Sequence, residues 1–213
     1  MSTLRQHAYK LIKEKIVCLK LKPGERLFEA DLAKDLEIGR TPVREAILML
    51  QNEKLVICDE KLGYIVRKLS REEAYDYFSI RQVIEDFAIP LVLKGLTDNT
   101  IAELEQNIES AQNWIKKNDF PNIIRYETEF HEILYRTTNS KVFIEVISGI
   151  VDKFQWLRAI GLSAPGGAQE SVAGHMKILL AYKSGDVSEI RRLTELHINQ
   201  ARDNFAKIEH IIF

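Results

Sequence analysis

Apolar residues recur every three or four positions along most of the chain, which is the spacing of one face of an α-helix. The first such stripe stops before Pro23-Gly24 and predicts an N-terminal helix. A second helix is predicted over residues 29–37. The third is predicted to start at Thr41, a residue type that favours the N-cap, with Pro42 at the first helical position.

The pattern then changes twice. Two short apolar stretches, 55–58 and 63–66, flank a polar turn and predict a β-hairpin. From Ser70 onward the spacing is helical again, and Pro90 is expected to kink the helix that contains it. Polar and glycine-containing breaks divide this part into six predicted helices: 71–95, 99–117, 121–137, 141–161, 168–184 and 187–208. The predicted fold is mainly α, with an N-terminal winged helix-turn-helix and a C-terminal six-helix antiparallel bundle.

Charge divides the chain in a similar way. Residues 1–70 contain 14 Lys+Arg and 10 Asp+Glu, a balance of +4, whereas residues 71–213 contain 16 and 21, a balance of −5. A basic first third followed by an acidic remainder predicts two domains with different partners, over residues 1–70 and 71–213.

Composition excludes several classes of protein. A chain of 213 residues with 46% hydrophobic residues can form real cores, and two cysteines provide no disulfide framework. The longest apolar run, 87–93, contains a proline and is far shorter than the ~20 residues of a membrane helix. The N-terminal residues also lack the apolar core of a signal peptide. We therefore expect a cytoplasmic protein without a membrane segment.

Polar residues cluster where a winged helix-turn-helix would bind DNA. Arg40, Thr41 and Arg44 lie at the start of the third predicted helix, the part that enters the major groove. Arginine can donate two hydrogen bonds to a guanine edge or bind a phosphate, and threonine can donate to a phosphate. The alternative is that these are solvated polar residues at a helix end.

In the predicted bundle, three histidines and one glutamate lie on apolar stripes. His131, His175 and His197 come from three different helices, and Glu127 precedes His131 by one turn. Buried polar groups need partners, and one divalent ion would satisfy all four. Imidazoles with a carboxylate suit zinc, nickel or manganese, so we expect one such ion per chain. The alternative is that each histidine is hydrogen-bonded separately in the core.

Two arginines lie near the same stripes. Arg81 lies between Phe78 and Glu85, and Arg158 continues the stripe of the predicted helix 141–161. Because a buried arginine commonly binds a carboxylate through two hydrogen bonds, both are candidate ligands of an organic acid. The alternatives are a salt bridge from Arg81 to Glu85 and, for Arg158, a solvated guanidinium on a buried stem.

The stretch LKPGERLFEADLAKDLEIGRTPVREAILMLQNEKLV, followed by LGYIV, resembles the DNA-binding domain of GntR-type transcriptional regulators. The resemblance covers most of residues 20–66. It implies that the three polar residues at the start of the third helix contact DNA, and that the wing tip around Lys61 and Gly63 enters the minor groove. The family commonly has a basic residue just before this glycine, where the chain has Leu62.

Residues 71–213 are similar to the FCD domain, the effector-binding helical bundle of the FadR-like branch of these regulators. The supporting fragments are R-x-x-x-E from Arg81, E-x-x-F-H from Glu127, N-S from Asn139, G-H from Gly174, and the late His197. In metal-binding members the ligands are one Asp and three His, which implies the metal site above with Glu127 in the place of Asp. With six predicted helices rather than seven, this domain resembles that of the shorter, vanillate-regulator-like subgroup.

We therefore expect a DNA-binding transcriptional regulator, acting as a repressor, which binds a palindromic operator as a homodimer because one short recognition helix reads few base pairs. A small carboxylate metabolite bound beside the metal would control it. One alternative is a hydrolase whose Glu/His site activates water, although the HExxH pattern fails at Tyr135. The other is a structural dimerisation protein without a ligand.

Overall fold

The computed structural model describes residues 3–212, and the side chains of residues 3–209. The described residues form two compact units, residues 3–69 and Ser70–Ile211.

The described part of the first unit contains three helices and a two-stranded hairpin. These elements are α1 (Leu4–Val17), α2 (Glu29–Asp35), α3 (Arg40–Asn52), β1 (Val56–Asp59) and β2 (Gly63–Val66). The Thr3 hydroxyl caps α1 by accepting a hydrogen bond from the backbone N–H of Gln6. Fully buried side chains such as Ile12 and Ile47 pack α1 against α3. The strands pair antiparallel with Val56 opposite Val66, which completes the predicted winged helix-turn-helix.

The third helix begins earlier than predicted. Gly39 is the N-cap, with extended dihedrals of φ −60° and ψ 155°, so Thr41 lies inside the first turn and is not the cap. The prediction was wrong because it placed Pro42 at the first helical position. A proline is tolerated throughout the first turn, since the N–H groups there have no partner within the helix.

The second unit contains seven helices within the described residues: α4 (Arg71–Gly95), α5 (Asp98–Lys116), α6 (Phe120–Thr137), α7 (Lys141–Ser148), α8 (Val151–Leu162), α9 (Gly167–Ser184) and α10 (Val187–Ile212). Ser70 caps α4 through the backbone N–H of Glu73, and α4 continues through Pro90. α5 packs on α6 and α9, and buried side chains from α4 to α10 form one apolar core. No described helix is both long and apolar enough to span a membrane.

The prediction of a single helix over residues 141–161 was wrong. Gly149 ends α7, and Ile150 leaves the helical region with φ −126° and ψ −18° before α8 begins. The apolar stripe conceals this break because Phe143, Ile147 and Phe154, which lie on both sides of it, enter the same core. Glycine has a low helix propensity, which favours the break at this point. With seven helices instead of six, the helix count gives no support for the shorter subgroup.

Candidate DNA-binding surface and buried histidine site

The start of α3 presents three exposed polar side chains. Arg40 and Thr41 lie in its first turn, and Arg44 follows one turn after Arg40. The Nε atom of Arg44 is 3.8 Å from Oε1 of Glu29 at the start of α2, and the Arg44 side chain is 66% exposed. The positive end of the helix dipole adds to the charge of these arginines. This surface can therefore bind phosphates and base edges of DNA.

The wing tip is a turn fixed by Asp59. Its Oδ1 atom accepts hydrogen bonds from the backbone N–H groups of Lys61 at 2.9 Å and Leu62 at 2.8 Å. These bonds lower the pKa of Asp59. Gly63 closes the turn with φ +75°, a conformation that favours glycine. Lys61 and Leu62 are exposed at the tip, whereas Gly63 is partly buried. Sequence reasoning did not assign Asp59 this role, for which the signal is an aspartate just before a glycine-containing turn.

In the second unit, the structure brings three histidines together from three helices. His131 on α6, His175 on α9 and His197 on α10 are all buried, and each offers a nitrogen within 4.8 Å of the others. The Nε2 atoms of His131 and His175 are 3.2 Å apart. Two nitrogens bound to one ion at about 2.1 Å, with an angle of 90–109°, would lie roughly 3.0–3.4 Å apart. The His131–His175 pair therefore has the spacing of two ligands of one ion, which is also that of a hydrogen bond, and His197 has a nitrogen within 4.8 Å of both.

A glycine on α9 allows the third histidine to join this cluster. A Cβ atom added to Gly174 would lie 2.7 Å from Nδ1 of His197, closer than such contacts allow. The G-H fragment in the sequence thus supplies His175, and its Gly174 leaves the space that His197 occupies.

Glu127 lies beside the histidine cluster and is fully buried. Its Oε2 atom accepts a hydrogen bond from the Ser171 hydroxyl at 2.5 Å, and Oε1 is 3.7 Å from Nδ1 of His175. Among the described residues, Oε1 has no hydrogen-bond partner. Burial raises the pKa of Glu127 to about 7. A buried carboxylate oxygen without a partner beside three imidazoles fits a cation.

The histidines themselves are held neutral. Burial, followed by the guanidinium groups of Arg158 and Arg81, lowers the pKa of His131 well below its usual value. Burial also lowers the pKa of His175 and His197. Neutral imidazole is the form that binds metal ions, so the lowered pKa values favour the metal-binding form of the three histidines.

Arg81 makes the alternative salt bridge to Glu85 and also reaches the histidine cluster. Its Nε atom donates to Oε1 of Glu85 at 2.6 Å, and its Nη2 atom donates to Nε2 of His131 at 3.1 Å. The Tyr135 hydroxyl also donates to Oε1 of Glu85, at 3.1 Å. Sequence reasoning missed Tyr135 as a site residue, although it lies one turn after His131.

Arg158 is buried, with 4% of its surface exposed, so the alternative of a solvated guanidinium is wrong. Its Nη1 atom donates to the Thr128 hydroxyl at 3.2 Å, while Nε and Nη2 have no hydrogen-bond partner among the described residues. Burial and the nearby charge of Arg81 lower the pKa of Arg158 to about 10. Arg81, Arg158 and His197 line one small cavity of about 20 Å³, which is room for about one water molecule.

Both parts of the chain match known families. Residues 4–66 match the family described as bacterial regulatory proteins, gntR family, and residues 76–200 match the FCD domain. The chain belongs to the GntR family of DNA-binding transcriptional regulators, and its helical unit is an FCD domain.

Several known proteins are similar along nearly their whole length. The HTH-type transcriptional regulator YdhC of Bacillus subtilis is 24% identical over 90% of this chain and 86% of its own. The HTH-type transcriptional repressor RspR of Escherichia coli is 23% identical over 96% of this chain and 90% of its own. The structure of E. coli McbR/YncC superposes with a TM-score of 0.83 at 24% identity, over 97% of this chain and 99% of that one, which shows the shared fold.

These domains and relatives are transcriptional regulators and not enzymes. The hydrolase alternative therefore has no support, and the buried histidine site of this GntR-family protein belongs to a regulator.

Proposed function

We propose that this GntR-family regulator is a repressor, that it binds a palindromic operator as a homodimer, and that a small organic anion bound beside a divalent metal ion controls this binding. The observation that carries the proposal is the guanidinium of Arg158, buried beside the histidine cluster with two N–H-bearing nitrogens that have no acceptor within the described part of the chain.

The DNA-binding part of the proposal rests on the start of α3 and on the wing. Arg40, Thr41 and Arg44 are exposed together on a helix N-terminus, and Lys61 and Gly63 lie at the tip of an ordered turn. An exposed arginine at this position can reach bases in the major groove. We assign these five residues to DNA contact.

The metal part of the proposal rests on the donor set. We assign His131, His175 and His197 as ligands, with Glu127 as the fourth through Oε1, which has no hydrogen-bond partner among the described side chains. Such a set suits zinc, nickel or manganese, and the ion would supply an electrophilic position to which an anion can bind. The residues of the chain hold the ion and orient the ligand.

Charge favours an anionic effector. Two guanidinium groups, of Arg81 and Arg158, and two carboxyl groups, of Glu85 and Glu127, are buried in the site. A divalent ion would add two positive charges, and uncompensated buried charge is costly. An anion would offset this excess, and a dicarboxylate would match both of the added charges. Because the cavity is small, binding such a ligand requires side chains around it to move.

The homodimer is supported by an exposed apolar surface on two helices of the FCD domain. Its side chains are Ile80, Val83 and Phe87 on α4, and Val142 and Val146 on α7. The Phe87 ring stacks on Phe143 of α7 at 6.3 Å, so the two helices adjoin at this surface. We name these five residues the α4–α7 surface. Contiguous exposed apolar residues favour an interface, and a twofold dimer pairs the same surface on both chains.

Repression is supported by the similarity to the repressor RspR, at 23% identity over 96% of the chain. If an anion relieves repression, it must bind the DNA-free form more tightly than the DNA-bound form, since a ligand shifts an equilibrium only through differential affinity.

The experiment selects bound sequences from a random duplex library and then measures affinity for the selected site by fluorescence anisotropy, with and without each member of a panel of small organic acids. We expect a palindromic site and an acid that weakens binding in the presence of metal. Selection of no preferred sequence would contradict operator recognition. An operator whose affinity is unchanged by every carboxylate, but is changed by a neutral or cationic metabolite, would contradict the anionic effector.

The dimer is tested by light scattering of Val83→Glu, which places a charge in the α4–α7 surface. We expect a dimer for the wild-type protein and a monomer for the variant. Leu180→Glu changes an exposed leucine on α9 outside this surface and should leave the dimer intact. A monomeric wild-type protein at micromolar concentration would contradict the proposal.

A further inference from the structure

We propose that Arg81 couples the two ligands of the FCD domain, because one of its N–H groups is bound to His131 and becomes available to an anion only when that histidine binds the metal. This inference rests on the metal and anion site proposed above. It concerns how binding of the metal changes the affinity for the anion, and how binding of the anion changes the affinity for the metal.

The coupling begins at a single nitrogen of His131. Its Nε2 atom accepts a hydrogen bond from Nη2 of Arg81 at 3.1 Å, and it lies 3.2 Å from Nε2 of His175, the spacing that suits a shared ion. A neutral imidazole has one nitrogen with an available lone pair. That lone pair can accept from the guanidinium or bind a metal ion, and the two uses exclude each other.

Arg81 cannot leave the site when this bond breaks. Its Nε atom stays hydrogen-bonded to Glu85 at 2.6 Å, and the same carboxylate oxygen accepts from Tyr135 at 3.1 Å. Arg81 is also almost fully buried, with 2% of its surface exposed. Metal binding would therefore release only the Nη2 end of the side chain, while the rest of the guanidinium stays in place.

The released N–H group needs an acceptor, because a buried donor without one is costly. Arg81 and Arg158 line the same cavity, and two nitrogens of Arg158 have no hydrogen-bond partner among the residues that the structure describes. A carboxylate in this cavity would accept from both guanidinium groups. Metal binding thus completes the anion site, and by linkage the anion raises the affinity for metal by the same factor.

A coupling role and a purely structural role of Arg81 predict opposite effects of its removal on the affinity for metal. In the absence of an anion, Arg81 competes with the metal for His131, so removing Arg81 should strengthen metal binding. If Arg81 only supports the fold around the site, its removal should weaken metal binding.

The experiment measures the affinity for Zn²⁺ by competition with a chromogenic chelator in a buffer without carboxylate or phosphate. The measurement is repeated with about 50 mM acetate, a simple carboxylate probe. The main variant is Arg81→Met combined with Glu85→Gln, which keeps the net charge of the site and leaves no unpaired buried carboxylate. Arg81→Lys is the second variant, since lysine lacks the fork that reaches both Glu85 and His131. Circular dichroism verifies that each variant is folded.

We expect the double variant to bind Zn²⁺ about tenfold more tightly than the wild-type protein without acetate, as loss of one charge-assisted competing hydrogen bond implies. Arg81→Lys should also bind Zn²⁺ more tightly than the wild-type protein. Acetate should raise the Zn²⁺ affinity of the wild-type protein and have a smaller effect on both variants. Arg158→Met removes a buried guanidinium that makes no hydrogen bond to His131, and it controls for the loss of any guanidinium near the histidine cluster.

The outcomes separate the two proposals. If the wild-type protein binds no Zn²⁺, the metal site fails and the coupling fails with it. If the wild-type protein binds Zn²⁺ and folded Arg81 variants bind it equally or more weakly, the metal site stands and the coupling is overturned. An absence of any acetate effect on the wild-type protein would also overturn the coupling. An equal gain in Arg158→Met and the double variant would show that loss of either buried guanidinium strengthens metal binding, and would overturn the role of the hydrogen bond to His131.

Discussion

Ser171 holds the carboxylate of Glu127 from the helix that also carries His175. The Ser171 hydroxyl donates to Oε2 of Glu127 at 2.5 Å, and His175 follows one turn later on α9. The hydrogen bond leaves Oε1 of Glu127 on the side of His175, at 3.7 Å from its Nδ1 atom. One helix therefore provides a histidine of the cluster and also orients the carboxylate beside it.

We predict that Ser171→Ala weakens metal binding by about tenfold, because loss of groups that orient ligands typically costs 10- to 100-fold. The affinity for Zn²⁺ measured by chelator competition tests this prediction. Ser184→Ala is the matched control on the same helix, since its hydroxyl donates to the carbonyl oxygen of Ala181 and accepts from the backbone N–H of Asp186, and neither bond involves Glu127. Equal affinities of the wild-type protein and Ser171→Ala would show that this hydrogen bond does not position Glu127.

A second prediction concerns the histidines. His175→Ala and His197→Ala should each lose the metal, and removing it from the wild-type protein should lower the melting temperature, because an ion that binds only the folded state stabilises it. Elemental analysis after growth with zinc, nickel and manganese, followed by thermal melts, measures both effects. His7→Ala changes an exposed histidine on α1 and should retain the metal. Near-zero metal in the wild-type protein and in all three variants would show that the clustered histidines are ordinary core residues.

A third prediction concerns operator binding. Arg44→Ala should weaken it by about 1–3 kcal/mol if the guanidinium reads a base, with relaxed specificity at one position of the site. Anisotropy titrations at several salt concentrations distinguish this from a phosphate contact, which would mainly reduce the salt dependence. Arg125→Ala removes an exposed arginine on α6 and serves as the control. Unchanged affinity in Arg40→Ala with Arg44→Ala would reject α3 as the recognition helix.

A fourth prediction tests the packing of the FCD domain. A Cβ atom added to Gly95 would overlap the carbonyl oxygen of Thr137, so Gly95→Ala should destabilise this domain by about 1–3 kcal/mol. At Gly149 the nearest atom would be 3.8 Å away, so Gly149→Ala should cost little. Urea denaturation followed by tryptophan fluorescence reports on this unit, since both tryptophans of the chain lie in it. Equal stability of the two variants would contradict the close approach of α4 and α6.

The sequence was informative wherever local chemistry is strong. Ser70 caps α4, as a serine before two glutamates predicts. The first helix instead ends at Val17, ahead of the Pro23-Gly24 break that was expected to stop it, and Leu19 has φ +58°. The same local rules failed at Thr41, because helix starts tolerate several caps and a proline anywhere in the first turn. They failed again at Gly149, where packing of the neighbouring apolar residues hides the break between α7 and α8.

Helical periodicity identified which polar residues enter the core, since the stripe alone places His131, His175 and His197 on buried faces. Tertiary structure decided what those residues do there. Only the packing of α4, α6, α8, α9 and α10 sets the 3.1 Å contact between Arg81 and His131 and leaves Arg158 buried without full hydrogen bonding. Spacing along a helix fixes direction within one element, whereas distances between elements depend on how their surfaces interlock, which no local pattern specifies.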